Sequence, residues 1–212
     1  MIIGIIPARG GSKEIPRKNI KEIAGKPLIA WSIEAAKQSK LMDDFYVSTE
    51  DKEIAEIARK YGAKIIDRPK ELATDEADMM NVLDHAVSAT KADVIVLLQP
   101  TSPVREPDLI DRCIKRFKAE GADSLATGFT CKLFEYGNRQ DMKGFFHDDG
   151  NVYMWKAALI KDRKRIGKNP VRLEISREQN FEIDDAFDFW INEQILKKII
   201  KSKKTIKSKR KK

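Results

Sequence analysis

Arg9, Lys13, Arg17 and Lys18 surround the adjacent glycines Gly10 and Gly11 and the hydroxyl of Ser12. These residue types suit a polyphosphate. Lys and Arg bind phosphate through charge-assisted hydrogen bonds. Glycine tolerates positive φ and lets a ligand approach the backbone, so amide N–H groups can turn toward an anion. The loop follows neither common phosphate-binding pattern. A P-loop needs G-x-x-x-x-G-K-[ST], but here the glycines are adjacent and Ser12 precedes Lys13; G-x-G-x-x-G is also absent. The plain alternative is a solvated basic loop after an edge strand.

A second constellation is acidic. Glu182 and Asp184 lie two residues apart in Phe181-Glu182-Ile183-Asp184, which reads as a short strand. In a strand that spacing puts both carboxylates on one face. Paired hard oxygens suit Mg²⁺, which binds through one or two carboxylates plus substrate phosphates. Equally, Asp184 or Asp185 would cap the helix that follows, with Asp188 favourable in its first turn.

The elements that must position these groups are legible. Ile2–Ile6 is a β-branched apolar run, the pattern of a buried parallel strand, and Pro7 ends it. Pro27 opens a helix over 28–39. A strand over 45–49 leads to a helix over 50–61, capped by Ser48 or Thr49 and stopped at Gly62. A strand over 63–66 runs into Asp67-Arg68-Pro69. Thr74 and the acids of 75–78 predict a helix from there to about 90. Val94–Leu98 is a buried strand that ends in Gln99-Pro100-Thr101-Ser102-Pro103. A helix over 108–120, closed by Gly121, precedes a strand over 123–127.

This alternation predicts an α/β, Rossmann-like, doubly wound and mostly parallel sheet. Right-handed crossovers would bring 7–18, 67–69 and 99–103 to one rim, where ligands of such sheets bind. The pattern then breaks at an excursion over 129–149 with hairpin or loop character. Strands follow at 151–155, 172–175 and 181–184, and an amphipathic helix runs from 185 to about 201.

Composition sets the class. The chain has 212 residues, 42% hydrophobic and 35% charged, without an apolar run of membrane-spanning length. We expect one domain over 1–202 and a basic tail over 203–212. The net charge of +8 is local: residues 197–212 carry 10 of the 41 cations and no acid, leaving 31 cations against 33 acids. Such a tail can bind nucleic acid or an anionic surface, but a solvated end is the commoner outcome, and no nucleic-acid partner is expected. Cys113 and Cys131 have no metal or disulfide spacing, and no secretory pattern opens the chain, so a cytoplasmic location is expected. His85 falls in a helix pattern and reads as a packing residue.

Ala8-Arg9-Gly10-Gly11-Ser12-Lys13, followed by Ile15-Pro16-Arg17-Lys18-Asn19, resembles the nucleotide loop of the acylneuraminate cytidylyltransferases. The resemblance spans roughly 2–195. It implies a glycosyltransferase-A-like fold and transfer of CMP from CTP to the anomeric hydroxyl of a sialic-type 2-keto sugar acid, releasing pyrophosphate. It implies that Arg9, Lys13 and Lys18 are catalytic cations, and that Ala8, Gly10, Gly11, Ser12, Asn19 and Arg68 bind the nucleotide. It assigns the sugar to Gln99, Thr101, His147, Asn151 and Tyr153, and Mg²⁺ to Asp184, with Glu182 acting directly or through a water. It also implies a homodimer in which the 129–149 excursion closes the partner's sugar site. No further phosphatase domain is expected at this length.

The sequence departs from the family in four places. Glu182 replaces the first Asp of Asp-x-Asp. Asp149 stands where Asn is usual before Gly150. Glu14 replaces a small or basic residue. His147 replaces an Arg, and it would pair with a sugar carboxylate only when protonated.

Overall fold

The computed structural model describes residues 1–131 and 144–209. β1 (Ile2–Pro7) is buried along its whole length. A 3₁₀ turn at Lys18–Ile20 and a small ribbon of β2 (Glu22–Ile23) and β3 (Lys26–Pro27) lead to α1 (Leu28–Gln38). Next come β4 (Asp44–Thr49), α2 (Lys52–Lys60), β5 (Lys64–Asp67), α3 (Met79–Thr90), β6 (Val94–Leu97) and α4 (Leu109–Ala119). The chain continues through β7 (Ser124–Cys131), β8 (Phe145–Lys156), α5 (Ala157–Lys161), β9 (Pro170–Glu174) and α6 (Ala186–Lys209).

The main sheet has seven strands in the order β5-β4-β1-β6-β8-β7-β9. β5, β4, β1 and β6 are parallel. β8 runs antiparallel to both of its neighbours, and β9 is parallel to β7. The expected mostly parallel sheet is therefore present, with β8 as the one reversed strand. The chain winds one way from β1 to β5 and resumes on the other side of β1 at β6. That reversal puts a crevice at the carboxyl ends of β1 and β6.

Helices cover both faces. Ile29 and Ile33 of α1, Ile54 of α2 and Leu109 and Phe117 of α4 pack with Ile6, Val47 and Val96 on one face. Met80, Leu83 and Val87 of α3 and Ile160 of α5 pack with Ile3, Ile5, Ile95 and Leu97 on the other. A third cluster joins Ile15 of the first loop to Ile183 and to Leu196 of α6. It fastens the glycine loop to the acidic segment.

Several local expectations are corrected. Asp51, not Ser48 or Thr49, caps α2: its carboxylate accepts the Ile54 N–H. α3 begins at Met79 with Asp78 as its cap, so Asp75 and Glu76 belong to a turn and not to a helix. That turn reaches the glycine loop instead. Residues 181–184 form no strand and pair with none in the sheets. α6 crosses the expected boundary at 202 and continues to Lys209. The expected excursion is, in its described parts, a ribbon continuing β7 and β8, with a bulge between Ala126 and Gly128. Its residues 132–143 lie outside the described residues. Among the described residues no helix is long and apolar enough to cross a membrane.

Candidate active site

Three loops meet at the rim above β1, β4, β5 and β6. Ser48 ties two of them together. Its carbonyl accepts the Ala8 N–H at 3.0 Å and the Arg68 Nη2–H at 2.6 Å, and its hydroxyl accepts the Arg68 Nε–H at 3.1 Å. Arg68 is only 7% exposed, and among the described residues no carboxylate lies within ion-pairing distance. Burial pulls its guanidinium down to about 10, so it stays charged at neutral pH. A buried cation with no bonded acid is suited to a ligand's oxygen atoms.

The cations of the glycine loop divide into separate tasks. Arg17, with the uncommon φ of 56°, clamps Asp51 at 2.6 and 3.0 Å and Glu53 at 2.6 Å. The Arg17 hydrogen bond holds the Asp51 carboxyl down at about 2. Arg17 therefore anchors the loop to the start of α2. Gly10 packs against the same pair: a Cβ there would lie 2.5 Å from Asp51 Oδ2. Its N–H donates to Glu50 Oε1 at 2.7 Å. The Asn19 side-chain amide donates to the Arg9 carbonyl at 2.9 Å and closes the loop on itself.

Arg9 and Lys13 share one partner. Asp75, on the turn before α3, accepts Arg9 Nη1 and Lys13 Nζ at 2.6 Å each. The Lys13 hydrogen bond, seconded by Arg9, holds the Asp75 carboxyl below the usual range. Between this turn and the loop lies a cavity of about 390 Å³ bordered by Gly11, Ser12 and Thr74. Lys18 turns the other way and donates to the Ile183 carbonyl at 2.8 Å.

That contact brings in the acidic segment. The Ile183 N–H donates to the Thr101 carbonyl at 2.8 Å, and Thr101 Oγ1 donates to Glu182 Oε1 at 2.8 Å. Ile183 is fully buried, whereas Glu182 is half-buried and Asp184 is exposed. Asp185, not Asp184, caps α6 by accepting the Phe187 and Asp188 N–H groups at 2.8 and 3.0 Å. The Asp184 carboxylate is thus not used in the cap. Among the described residues there is no cluster of three or more His, Cys, Asp or Glu. Two carboxylates two residues apart suit a hard divalent cation that completes its shell with phosphate and water, as Mg²⁺ does, and suit zinc poorly.

The sugar-side candidates separate. Gln99 and Tyr153 line a cavity of about 480 Å³ beside the acidic segment. Gln99 Nε2 donates to the Gly150 carbonyl at 3.4 Å, and the Gly150 N–H donates to the Tyr153 hydroxyl at 3.1 Å. Burial pushes the Tyr153 phenol up, so it remains protonated and can donate to Asp148 Oδ2, 3.2 Å away. Asn151 is fully buried, and its side-chain amide donates to the Val104 and Gln179 carbonyls at 2.8 and 2.9 Å. Those donors support the frame. His147 stacks near Phe129, with ring centroids 5.4 Å apart, on the strand face opposite Phe146 and Asp148, which line the cavity. His147 is therefore not brought to the sugar cavity of its own chain.

Sequence reasoning did not single out Arg105, Glu50 or Asp75. Arg105 donates to the Gln99 carbonyl at 2.7 Å, the Asn151 carbonyl at 3.0 Å and Ser32 Oγ at 2.8 Å, so it sets the backbone that carries Gln99. Its partners are two main-chain carbonyls and a serine hydroxyl, which leave no spacing signal. The acidic turn holding Asp75 was visible, but it read as a helix start.

A crevice at the sheet's switch point, a cationic glycine loop and an acidic segment tied to it through Lys18 define a nucleotidyltransferase type of site. The profile of a family described as Cytidylyltransferase matches residues 3–210. A CMP-N,N'-diacetyllegionaminic acid synthase of Legionella pneumophila is 33% identical over 222 residues, covering 92% of this chain and 96% of its own. A pseudaminic acid cytidylyltransferase of Campylobacter jejuni is 36% identical, covering 76% of this chain and 70% of its own. An N-acylneuraminate cytidylyltransferase of Escherichia coli is 31% identical; this chain spans 50% of its length. The chain belongs to the acylneuraminate cytidylyltransferase family. The fold also matches a CMP:2-keto-3-deoxy-manno-octonic acid synthetase solved with CTP, with a TM-score of 0.76 at 16% identity, over 92% of this chain and 98% of that one.

Proposed function

We propose that the protein transfers CMP from CTP to the anomeric hydroxyl of a sialic-type, nonulosonic 2-keto sugar acid. The anomeric oxygen attacks the α-phosphorus, the bond to the β-phosphate oxygen breaks, pyrophosphate leaves, and the hydroxyl proton is lost to water. The observation that carries this reading is the shared rim. The Lys18–Ile183 and Thr101–Glu182 contacts put the cationic loop, the acid pair and the Gln99 cavity side by side.

Arg9 and Lys13, with the amides of Gly11 and Ser12, hold the triphosphate and stabilise charge on the leaving pyrophosphate, while Lys18 serves the α-phosphate side; the Gly10 amide, expected to join them, is taken by Glu50. A Cβ at Gly11 would meet nothing within 4 Å, so the protein itself leaves room for a phosphate against that backbone. Arg68 and Asn19 face the base and ribose. Positioning and electrostatics supply the rate enhancement, as is usual in phosphoryl-type transfer. Asp184, with Glu182 directly or through a water, would hold Mg²⁺, which would neutralise phosphate charge and lower the pKa of the attacking hydroxyl.

The reading includes a homodimer closed by the 129–149 excursion, in whose described part Phe145 is 45% exposed. Light scattering that gives a monomer at working concentration would count against it. It also includes a reducing, cytoplasmic setting, supported by Cys113 and Cys131, which are buried as thiols.

The test is pyrophosphate release from CTP and Mg²⁺ with sialic, legionaminic, pseudaminic and Kdo-type acids, with UTP and GTP as controls. Release with CTP and at least one nine-carbon acid is expected. A folded protein that does not bind CTP would overturn the proposal at its base.

A further inference from the structure

The 480 Å³ cavity opens on the sheet face where α3 and α5 stop covering the strands. Strand register builds its floor. Leu97 on β6 pairs with Tyr153 on β8, Tyr153 pairs with Ala126 on β7, and Ala126 pairs with Arg172 on β9. Residues directly opposite one another share a face, so Arg172 projects to the same side as Tyr153. With strands about 4.8 Å apart, Arg172 stands roughly 14 Å across the sheet from Leu97.

Arg172 is held but not neutralised. Its guanidinium carbon lies 5.3 Å from the centroid of the Phe146 ring, within cation–π range. No carboxylate among the described residues pairs with it, whereas Arg165 on the same wall meets Asp78 at 3.2 Å. Arg172 thus presents donors only, on a fixed platform, to a cavity whose other walls include Met79, Leu97 and Trp155.

The next step rests on the function proposed above. The anomeric hydroxyl and the carboxylate leave the same carbon, so both must lie at the Gln99 end, beside Lys18 and Glu182. The far end of the sugar then meets Arg172. We propose that Arg172 determines specificity by donating to acceptor oxygens on the substrate end remote from the carboxylate: hydroxyl and acylamido oxygens of a long side arm. An acid whose arm is too short does not reach this guanidinium and forgoes the charge-assisted hydrogen bond that favours a long-armed acid.

The test compares wild type, Arg172→Leu and Arg172→Lys in pyrophosphate release, with nine-carbon acylamido acids and an eight-carbon Kdo-type acid. In Arg172→Leu the KM for the preferred nine-carbon acid should rise about tenfold to a hundredfold, the loss of a charge-assisted hydrogen bond. The KM for CTP should not move, kcat should fall far less than kcat/KM, and the preference over the Kdo-type acid should collapse. Arg172→Lys should restore part of that preference. Arg172 is solvent-exposed, so both variants are expected to keep the wild-type Tm. An unchanged selectivity ratio in an active Arg172→Leu enzyme overturns this inference alone, as does a wild type that favours the eight-carbon acid. A wild type that binds CTP but turns over no acid overturns the function beneath it.

Discussion

The carboxylate of Asp75 lies 2.6 Å from the ammonium of Lys13, and its other oxygen lies 2.6 Å from Arg9. Asp75 therefore occupies the cations that the proposed reaction assigns to the triphosphate. A carboxylate and a phosphate compete for the same donors, and both are negative. Asp75→Asn should bind CTP roughly threefold to tenfold more tightly, because a modest, partly solvated ion pair no longer has to be displaced. Calorimetric titration with CTP and Mg²⁺ measures this. Weaker binding would mean that Asp75 orients the two cations for the ligand.

Lys13 and Lys18 should respond differently to alanine. Lys13 is 75% exposed and, among the described residues, tied only to Asp75, so Lys13→Ala should leave Tm close to wild type while kcat falls by about a hundredfold or more. Lys18 also holds the Ile183 carbonyl across the site, so Lys18→Ala should lose turnover and about 1 kcal/mol of stability together. Paired rate and denaturation measurements on the two variants test this. Near-normal turnover in Lys13→Ala would remove it from the catalytic set.

Gly150 is a strict position for two independent reasons. Its φ is 73°, and a Cβ would lie 2.6 Å from Gln99 Nε2 and 2.9 Å from Glu182 Oε2. Gly150→Ala should therefore displace the sugar-side amide and the acid pair at once. We expect a loss of about 1–2 kcal/mol and a steep fall in kcat/KM, with CTP affinity much less affected. A variant active at wild-type levels would show that neither contact shapes the site.

Acid should release the first loop from α2. Hydrogen bonding from Arg17 holds Asp51 at about 2, below its ordinary 3.8. The folded form thus binds fewer protons than the unfolded chain. The stabilisation is present above about pH 4 and is lost as pH falls toward about 2. Asp51→Asn, which can still cap a helix, should be less stable at neutral pH and should flatten the stability profile in that window. Parallel slopes for the two proteins between those values would refute the linkage.

Much of this site was legible from local pattern. The buried run of β1, the stop at Pro7 and the glycine pair identify a loop at a strand's carboxyl end. Parallel alternation then predicts that Arg68 and Gln99 share its rim, as they do. What local pattern could not separate was the use of like residues. Arg17 looks like Lys13 in sequence, yet it is consumed by Asp51 and Glu53. Asn151 looks like a sugar ligand, yet its amide donors go to two main-chain carbonyls. Asp184 and Asp185 were interchangeable as cap and ligand until the geometry gave the cap to Asp185.

By itself the sequence determined the elements, their parallel winding, the rim on which a ligand belongs and the family resemblance of the loop. Each of these depends on short-range periodicity, turn residues and the fixed hand of crossovers. Only the tertiary structure decided which charge meets which. The Asp75 bridge, the Lys18–Ile183 contact and the row from Leu97 to Arg172 join residues far apart in the chain. Side-chain pairing over such separations is set by strand register and loop packing, and neither leaves a local mark in the sequence.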